Sequence, residues 1–133
     1  MVSKIGLLVL FVLCLVAGVL GQGGGQASAA SEQYDAAKGV LDAAMKQQEV
    51  GNSNLTSEQE PYCAWSRRLA ETAVQANALS PDVAFAQHQT RMTELMEQTK
   101  RRAAAGMVTV LEQAIVKYYL AEARVLAERS RGK

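Results

Sequence analysis

The residues in this sequence best suited to chemistry are one histidine and two methionines. His88, Met92 and Met96 follow one another at intervals of four, which places them on one face of a helix. An imidazole and two thioethers could bind a soft ion such as Cu(I). The other interpretation is that they continue an inward-facing apolar stripe, where methionine often fills gaps. No carboxylate–histidine or paired-cysteine spacing supports a metal, so we expect no metal or other cofactor.

The sequence contains no recognisable catalytic arrangement. His88 is the only histidine, and no serine lies in a nucleophile elbow. Cys63 has no histidine near it in the sequence. Glu94 and Glu97 have the spacing of ordinary ion pairs on a helix surface. We therefore expect no catalytic residues and predict that the protein is not an enzyme.

Residues 1–30 have the pattern of a secretory signal peptide with a glycine-rich exit. Lys4 precedes an uncharged run from Ile5 to Leu20, and small residues at Ala27 to Ala30 suit cleavage. An uncleaved membrane anchor is the alternative, although the run is shorter than the roughly 20 apolar residues of a spanning helix. We expect an exported protein of the periplasm or cell envelope that contacts the membrane only through this segment.

The charge of the remaining chain is balanced. The sequence has 14 basic and 13 acidic residues, so losing Lys4 leaves 13 of each. Interspersed charges of both signs give no basic surface for nucleic acid, and we expect no such partner. We expect the protein to associate with itself or with protein partners through its helices.

Cys63 is the only cysteine beyond the signal segment. A single cysteine cannot form a disulfide within its own chain, although it could pair between chains. We expect instead a small buried residue beside Trp65.

Residues 31–129 are predicted to form an all-α domain, followed by a basic tail at residues 130–133. The domain is rich in the strongest helix formers, and no segment alternates as a strand would. A first helix is predicted from about Ser31, as its N-cap, to Val50, with Gly51 ending it. Its inner face is predicted to be Tyr34, Ala37, Leu41, Ala44 and Gln48.

A second helix is predicted to begin at a capping box on Thr56 or Ser57 and to end near Leu79. Pro61 is tolerated only if it falls in the first turn. The inner face is predicted to comprise Tyr62, Trp65, Leu69, Ala73 and Ala76.

The helical pattern resumes at Pro81, with Ser80 as its N-cap, and continues almost to the C-terminus. Its first part has an inner face predicted to be Phe85, His88, Met92, Leu95 and Met96. Its second part has a coiled-coil seam at alternating intervals of four and three, predicted to face inward: Met107, Leu111, Ala114, Tyr118, Ala121 and Val125.

The stripe is interrupted between these two parts, around Gly106. We expect the chain to turn there, with Thr109 and Glu112 forming a capping box for a new helix. The alternative is one continuous helix, since a single glycine costs only about 1 kcal/mol relative to alanine.

The residues around this turn resemble a known family. The segment from Ala104 to Thr109, followed by the alanine-rich heptads to Leu126, is similar to the helical-hairpin repeat of outer-membrane efflux (TolC-like) proteins. The chain is also similar to a group of uncharacterised exported bacterial helical proteins. The similarity lies in two short motifs, Tyr62-Cys63-Ala64-Trp65-Ser66-Arg67 and Tyr118-Tyr119-Leu120-Ala121-Glu122.

The resemblance covers about Tyr34 to Glu128 and implies an interaction tip at Gly106, Met107 and Val108, where that family meets an adaptor protein. Channel activity is not implied, because this chain has no strands for a barrel. We expect antiparallel helical hairpins, packed as a coiled-coil-like bundle of three or four helices after the signal segment. The expected function is that of a non-enzymatic interaction or structural protein. The alternative is a metal- or ligand-binding bundle using His88, Met92 and Met96.

Overall fold

The computed structural model describes residues 29–46 and 59–132. This part of the chain forms four α-helices and contains no strand, which confirms the all-α bundle. We call them α1 (residues 29–46), α2 (Gln59–Gln75), α3 (Pro81–Ala104) and α4 (Val110–Arg131). Residues 1–28 of the segment expected to be a signal peptide, together with Gln48, Val50, Gly51 and the caps proposed at Thr56 and Ser57, lie outside the described residues.

The inner face of α1 is confirmed where it is described. Ala37 and Leu41 are buried, and Tyr34 and Ala44 are partly buried against the other helices. Ser31 is not the N-cap, because residues 29 and 30 are already helical.

Helix α2 ends earlier than predicted, at Gln75 instead of Leu79. Asn77 adopts a left-handed conformation with φ 54, and the amide of Ala78 donates to the carbonyl of Ala73. These are features of a helix C-terminal motif, and asparagine is one of the few residues that tolerate such a φ. Pro61 does lie in the first turn of α2, as predicted.

Helix α3 begins at Pro81, with Ser80 in the cap position. The Ser80 side chain makes no capping hydrogen bond, so the proline supplies the start signal. The predicted inner face is confirmed: His88, Met92 and Leu95 are buried, and Phe85 and Met96 pack against the core.

The core consists of two clusters. The larger one joins all four helices, with Leu41 from α1, Cys63 from α2, Met92 from α3 and Val116 from α4 among its buried members. The smaller one joins α2 to the beginning of α3 through the alanines Ala70, Ala73 and Ala84. Small residues at these positions let the two helix backbones approach closely.

Helix α4 faces the core with a different side from the one predicted. The predicted seam is exposed along its whole length, at Met107, Leu111, Ala114, Tyr118, Ala121 and Val125. The buried side is a second periodic set, comprising Glu112, Val116, Leu120, Ala123 and Ala127. This orientation brings Glu122 against Arg67 of α2 and lets the small side chains of Ala123 and Ala127 pack closely. The sequence pattern detected a real stripe but assigned it to the wrong side of the bundle.

None of the helices within residues 29–46 and 59–132 combines the length and apolar character needed to cross a bilayer.

Candidate interaction surface

The turn between α3 and α4 confirms the break expected at Gly106. Gly106 has φ 71, and its amide donates to the carbonyl of Ala103 over 2.9 Å. The next amide, of Met107, donates to the carbonyl of Arg102, also over 2.9 Å. These two bonds define a Schellman motif, which ends a helix by placing a left-handed residue just past it. The proposed tip residues lie here, with Gly106 and Met107 exposed and Val108 partly buried.

Thr109 and Glu112 fix the direction in which α4 leaves this turn. The Thr109 hydroxyl accepts from the Glu112 amide over 3.2 Å, and the Glu112 carboxylate accepts from the Thr109 amide over 2.6 Å. Both halves of the predicted capping box are therefore present. Glu112 is buried beneath the turn, so the box also anchors the hairpin to the bundle.

Comparing Gly106 with Gly39 of α1 measures how much the backbone conformation at Gly106 requires glycine. A Cβ added at Gly106 or at Gly39 of α1 would meet no atom within 4 Å, so only backbone conformation distinguishes the two positions. We expect Gly106→Ala to lower the free energy of unfolding by about 1 kcal/mol, because a left-handed φ strains an L-residue. We expect Gly39→Ala to raise it by up to about 1 kcal/mol, because alanine favours a helix interior. Urea denaturation of both variants gives the signs, and a stabilised Gly106→Ala would contradict the turn.

The exposed stripe of α4 is the most extensive apolar feature that the described residues leave in solvent. We call it the outer face, and it comprises Met107, Val110, Leu111, Ala114, Tyr118, Ala121 and Val125. Val110 is 83% exposed, Tyr118 is 64% exposed and Leu111 is 61% exposed. Isolated apolar residues on a surface need no explanation, but a contiguous stripe is a candidate for an interaction surface.

The outer face and the buried side lie on opposite sides of α4. Leu111 and Leu120 are nine positions apart, which is two and a half turns at about 3.6 residues per turn. Leu120 is only 7% exposed and packs in the main core, whereas Leu111 points into solvent. A helix with apolar residues on both sides has a second packing surface that its own bundle does not use.

Two ion pairs that share Arg67 accompany this orientation of α4. Arg67 of α2 donates to Glu122 of α4 over 2.6 Å and to Glu71 of its own helix over 2.8 Å. The tripeptide Leu-Ala-Glu occurs three times in the sequence, and the two glutamates end its first and second copies, Leu69–Glu71 and Leu120–Glu122. A single arginine therefore links α2 to α4 through Glu122 while also binding Glu71 of its own helix.

A second group of polar residues, which the sequence did not predict, lies in the core between α2 and α3. Ser66 Oγ lies 2.8 Å from His88 Nδ1, and Arg91 Nε donates to the same oxygen over 2.8 Å. Arg91 also donates to the backbone carbonyl of Ser66. Ser66 and His88 have no exposed surface. Burial, together with the nearby Arg91 and Arg67, lowers the pKa of His88 to about 4, so the imidazole is neutral at pH 7.

This arrangement weighs against the metal-binding interpretation of His88. Ser66 Oγ accepts from Arg91 and also forms a hydrogen bond with His88 Nδ1, whose direction depends on which ring nitrogen carries the proton. Nε2 is buried without a hydrogen-bond partner among the described residues. A metal ion at Nε2 would have to enter a position at which neither His88 nor Met92 has any exposed surface. Met92 is buried in the core cluster and Met96 packs against it. Both methionines therefore fill the apolar core, which is the role that the sequence offered as the alternative to metal binding.

The same group does not have the accessibility of a catalytic site. A hydroxyl bonded to an imidazole is how many enzymes activate serine, but a substrate must reach the oxygen. Ser66 has no exposed surface, and Cys63 beside it is equally buried with its pKa raised to about 12 by burial. Both nucleophiles are therefore in their unreactive, protonated forms. In the part of the chain that the structure describes, no three His, Cys, Asp or Glu side chains converge to hold a metal ion.

Comparison of the chain with protein-family models, with curated proteins and with solved structures finds no match. The functional argument therefore rests on the outer face of α4, the turn that precedes it and the chemistry of their residues.

Proposed function

We propose that this protein is an exported, non-enzymatic interaction protein of the bacterial periplasm or cell envelope. Its binding surface is the outer face of α4 together with the turn at Gly106, Met107 and Val108. Export is supported by the signal-like sequence of residues 1–30, and an envelope role is supported by the resemblance to efflux-type helical hairpins.

The observation that carries this proposal is the position of the coiled-coil seam. Leu111, Tyr118 and Val125 recur with heptad spacing, yet they point away from the bundle. Heptad spacing is a packing pattern for another helix, and all three of these side chains are exposed. The stripe begins at the exposed Met107 of the turn, so the tip and the outer face form one continuous surface.

A cysteine alkylation experiment tests whether a partner covers the outer face in cells. Ala121 lies on that face and Gln87 lies on the exposed side of α3, so Ala121→Cys and Gln87→Cys place the same thiol at two exposed helical positions. Each is made in a chain carrying Cys14→Ser. Cys63 does not contribute a signal, because it is fully buried and its pKa is about 12. The rate of reaction with a permeant maleimide is compared between intact cells and the purified protein.

We expect position 121 to react about tenfold more slowly in cells than in the purified protein, because a bound partner leaves only the free fraction reactive. Position 87 should react at similar rates in both. Adding Leu111→Glu to the Ala121→Cys chain should restore the fast rate, since a charge on the outer face prevents apolar packing. Equal rates at positions 121 and 87 in cells would contradict the proposed function.

A further inference from the structure

We propose that the occupant of the outer face is a helix of another protein, whose own apolar stripe is edged by carboxylates. This inference rests on the proposed function and adds the chemistry of the partner. It follows from the charges beside the outer face and from the width of its apolar stripe.

One edge of the outer face is basic. Lys117, Arg124 and Arg131 follow one another at heptad intervals, and all three residues are exposed. Arg131 lines a surface groove with Thr90 and Glu94 of α3, so the charge that this edge offers to a partner comes mainly from Lys117 and Arg124. Among the described residues, none of the three forms an ion pair within 4.0 Å. In a coiled coil such positions flank the apolar seam and pair with charged residues of the opposite helix. The charges at these positions therefore favour a partner helix with charges of the opposite sign. A helix with glutamate or aspartate along the facing edge complements this row.

The same charges disfavour a second copy of this chain. In an antiparallel pair the two basic rows would face each other, with Lys117 opposite Arg124 or another copy of itself. In a parallel pair Arg124 would face Arg129 of the other copy, and Lys117 would face Glu122. Glu122 is already bound to Arg67 within its own bundle, so it offers little compensation. Either orientation places like charges beside the seam, which lowers affinity.

The shape of the stripe favours a helix over a lipid surface. Ala114 and Ala121 alternate with the larger Leu111, Tyr118 and Val125, which gives a narrow seam of small and large side chains. Such a seam fits the ridges of another helix, whereas helices that lie in a membrane interface have a broad apolar face, often with Trp or Phe. The opposite side of α4 is fixed in the core, so the helix cannot rotate to widen this face.

Two synthetic peptides of about four heptads test the inference directly. Both have the same leucine and isoleucine seam; one has glutamate at every flanking position and the other has lysine. Like charges keep each peptide from pairing with itself, so each is available to bind the protein. Binding to the full protein is measured by fluorescence anisotropy of labelled peptide at low and high salt.

We expect the glutamate peptide to bind about tenfold more tightly than the lysine peptide at low salt, and the difference to shrink as salt screens the edge charges. Lys117→Glu with Arg124→Glu should reverse the preference without unfolding the protein, because both side chains are exposed. Leu111→Glu with Tyr118→Glu should abolish binding of both peptides.

Five results would overturn the inference, the last of them together with the proposed function. Equal binding of the two peptides, or no binding while position 121 is still protected in cells, would reject a carboxylate-edged helix but leave the proposed function intact. Sedimentation as a dimer that depends on Tyr118 would identify a second copy as the occupant. Tighter binding to phosphatidylglycerol vesicles than to the glutamate peptide would identify a lipid surface. If position 121 is equally reactive in cells and in the purified protein, the proposed function itself fails.

Discussion

The same substitution at two leucines of α4 should have very different effects on stability. We expect Leu120→Ala to lower the free energy of unfolding by about 3 kcal/mol, because it removes a buried side chain and leaves a cavity in the main core. We expect Leu111→Ala to change it by less than about 0.5 kcal/mol, because that side chain lies in solvent. Urea denaturation of the two variants at pH 7 measures both values.

The pair is internally controlled, since residue type, helix and substitution are the same. The comparison also distinguishes the orientation of α4 in the structure, with Leu120 inward, from the orientation that the sequence pattern predicts, with Leu111 inward. If Leu111→Ala were the more destabilising substitution, the seam would face the core and the outer face would not exist as a binding surface.

The second large effect is a loss of stability in mild acid. Burial lowers the pKa of His88 from its ordinary value of 6.5 to about 4, so the folded protein binds fewer protons at this site than the unfolded chain does. Stability is therefore full above about pH 6.5 and falls as the pH drops toward 4. The difference in pKa corresponds to a loss of about 3 kcal/mol by pH 4. Urea denaturation at several pH values between 7 and 4.5 measures the slope.

His88→Asn is the control for this pH dependence. Asparagine cannot take up a proton in this range, yet its side-chain oxygen can accept the hydrogen of Ser66. We expect this variant to be less stable at pH 7 but nearly independent of pH down to about 4.5. A wild-type protein whose stability does not change between pH 7 and 4.5 would contradict a buried neutral histidine.

Much of the fold could be predicted from the sequence, because its signals are local. Pro81 after Ser80, the proline in the first turn of α2, and the box formed by Thr109 and Glu112 each depend on residues a few positions apart. The turn at Gly106 was predictable for the same reason. Asn77 ended α2 early because asparagine can replace glycine in the left-handed position, which a search for glycine and proline overlooks.

The orientation of α4 and the group around Ser66 could not be predicted in this way. Periodicity gives the spacing of a stripe, but not whether the stripe meets its own bundle or a partner. The buried side of α4 packs against residues of the other three helices, and the one ion pair between α2 and α4, Arg67 with Glu122, joins residues 55 positions apart. Ser66 is likewise 22 positions from His88 and 25 from Arg91, and no sequence motif connects them. These contacts exist only after the helices have packed.

The central claim is that the seam of α4 faces a partner and not its own core. The alkylation rate at position 121, taken in cells and in the purified protein, tests that claim most directly. We predict fast reaction in the purified protein, protection of about tenfold in cells, and loss of that protection when Leu111→Glu is added. If position 121 reacted as fast in cells as in the purified protein, as position 87 is expected to do, the claim would be contradicted.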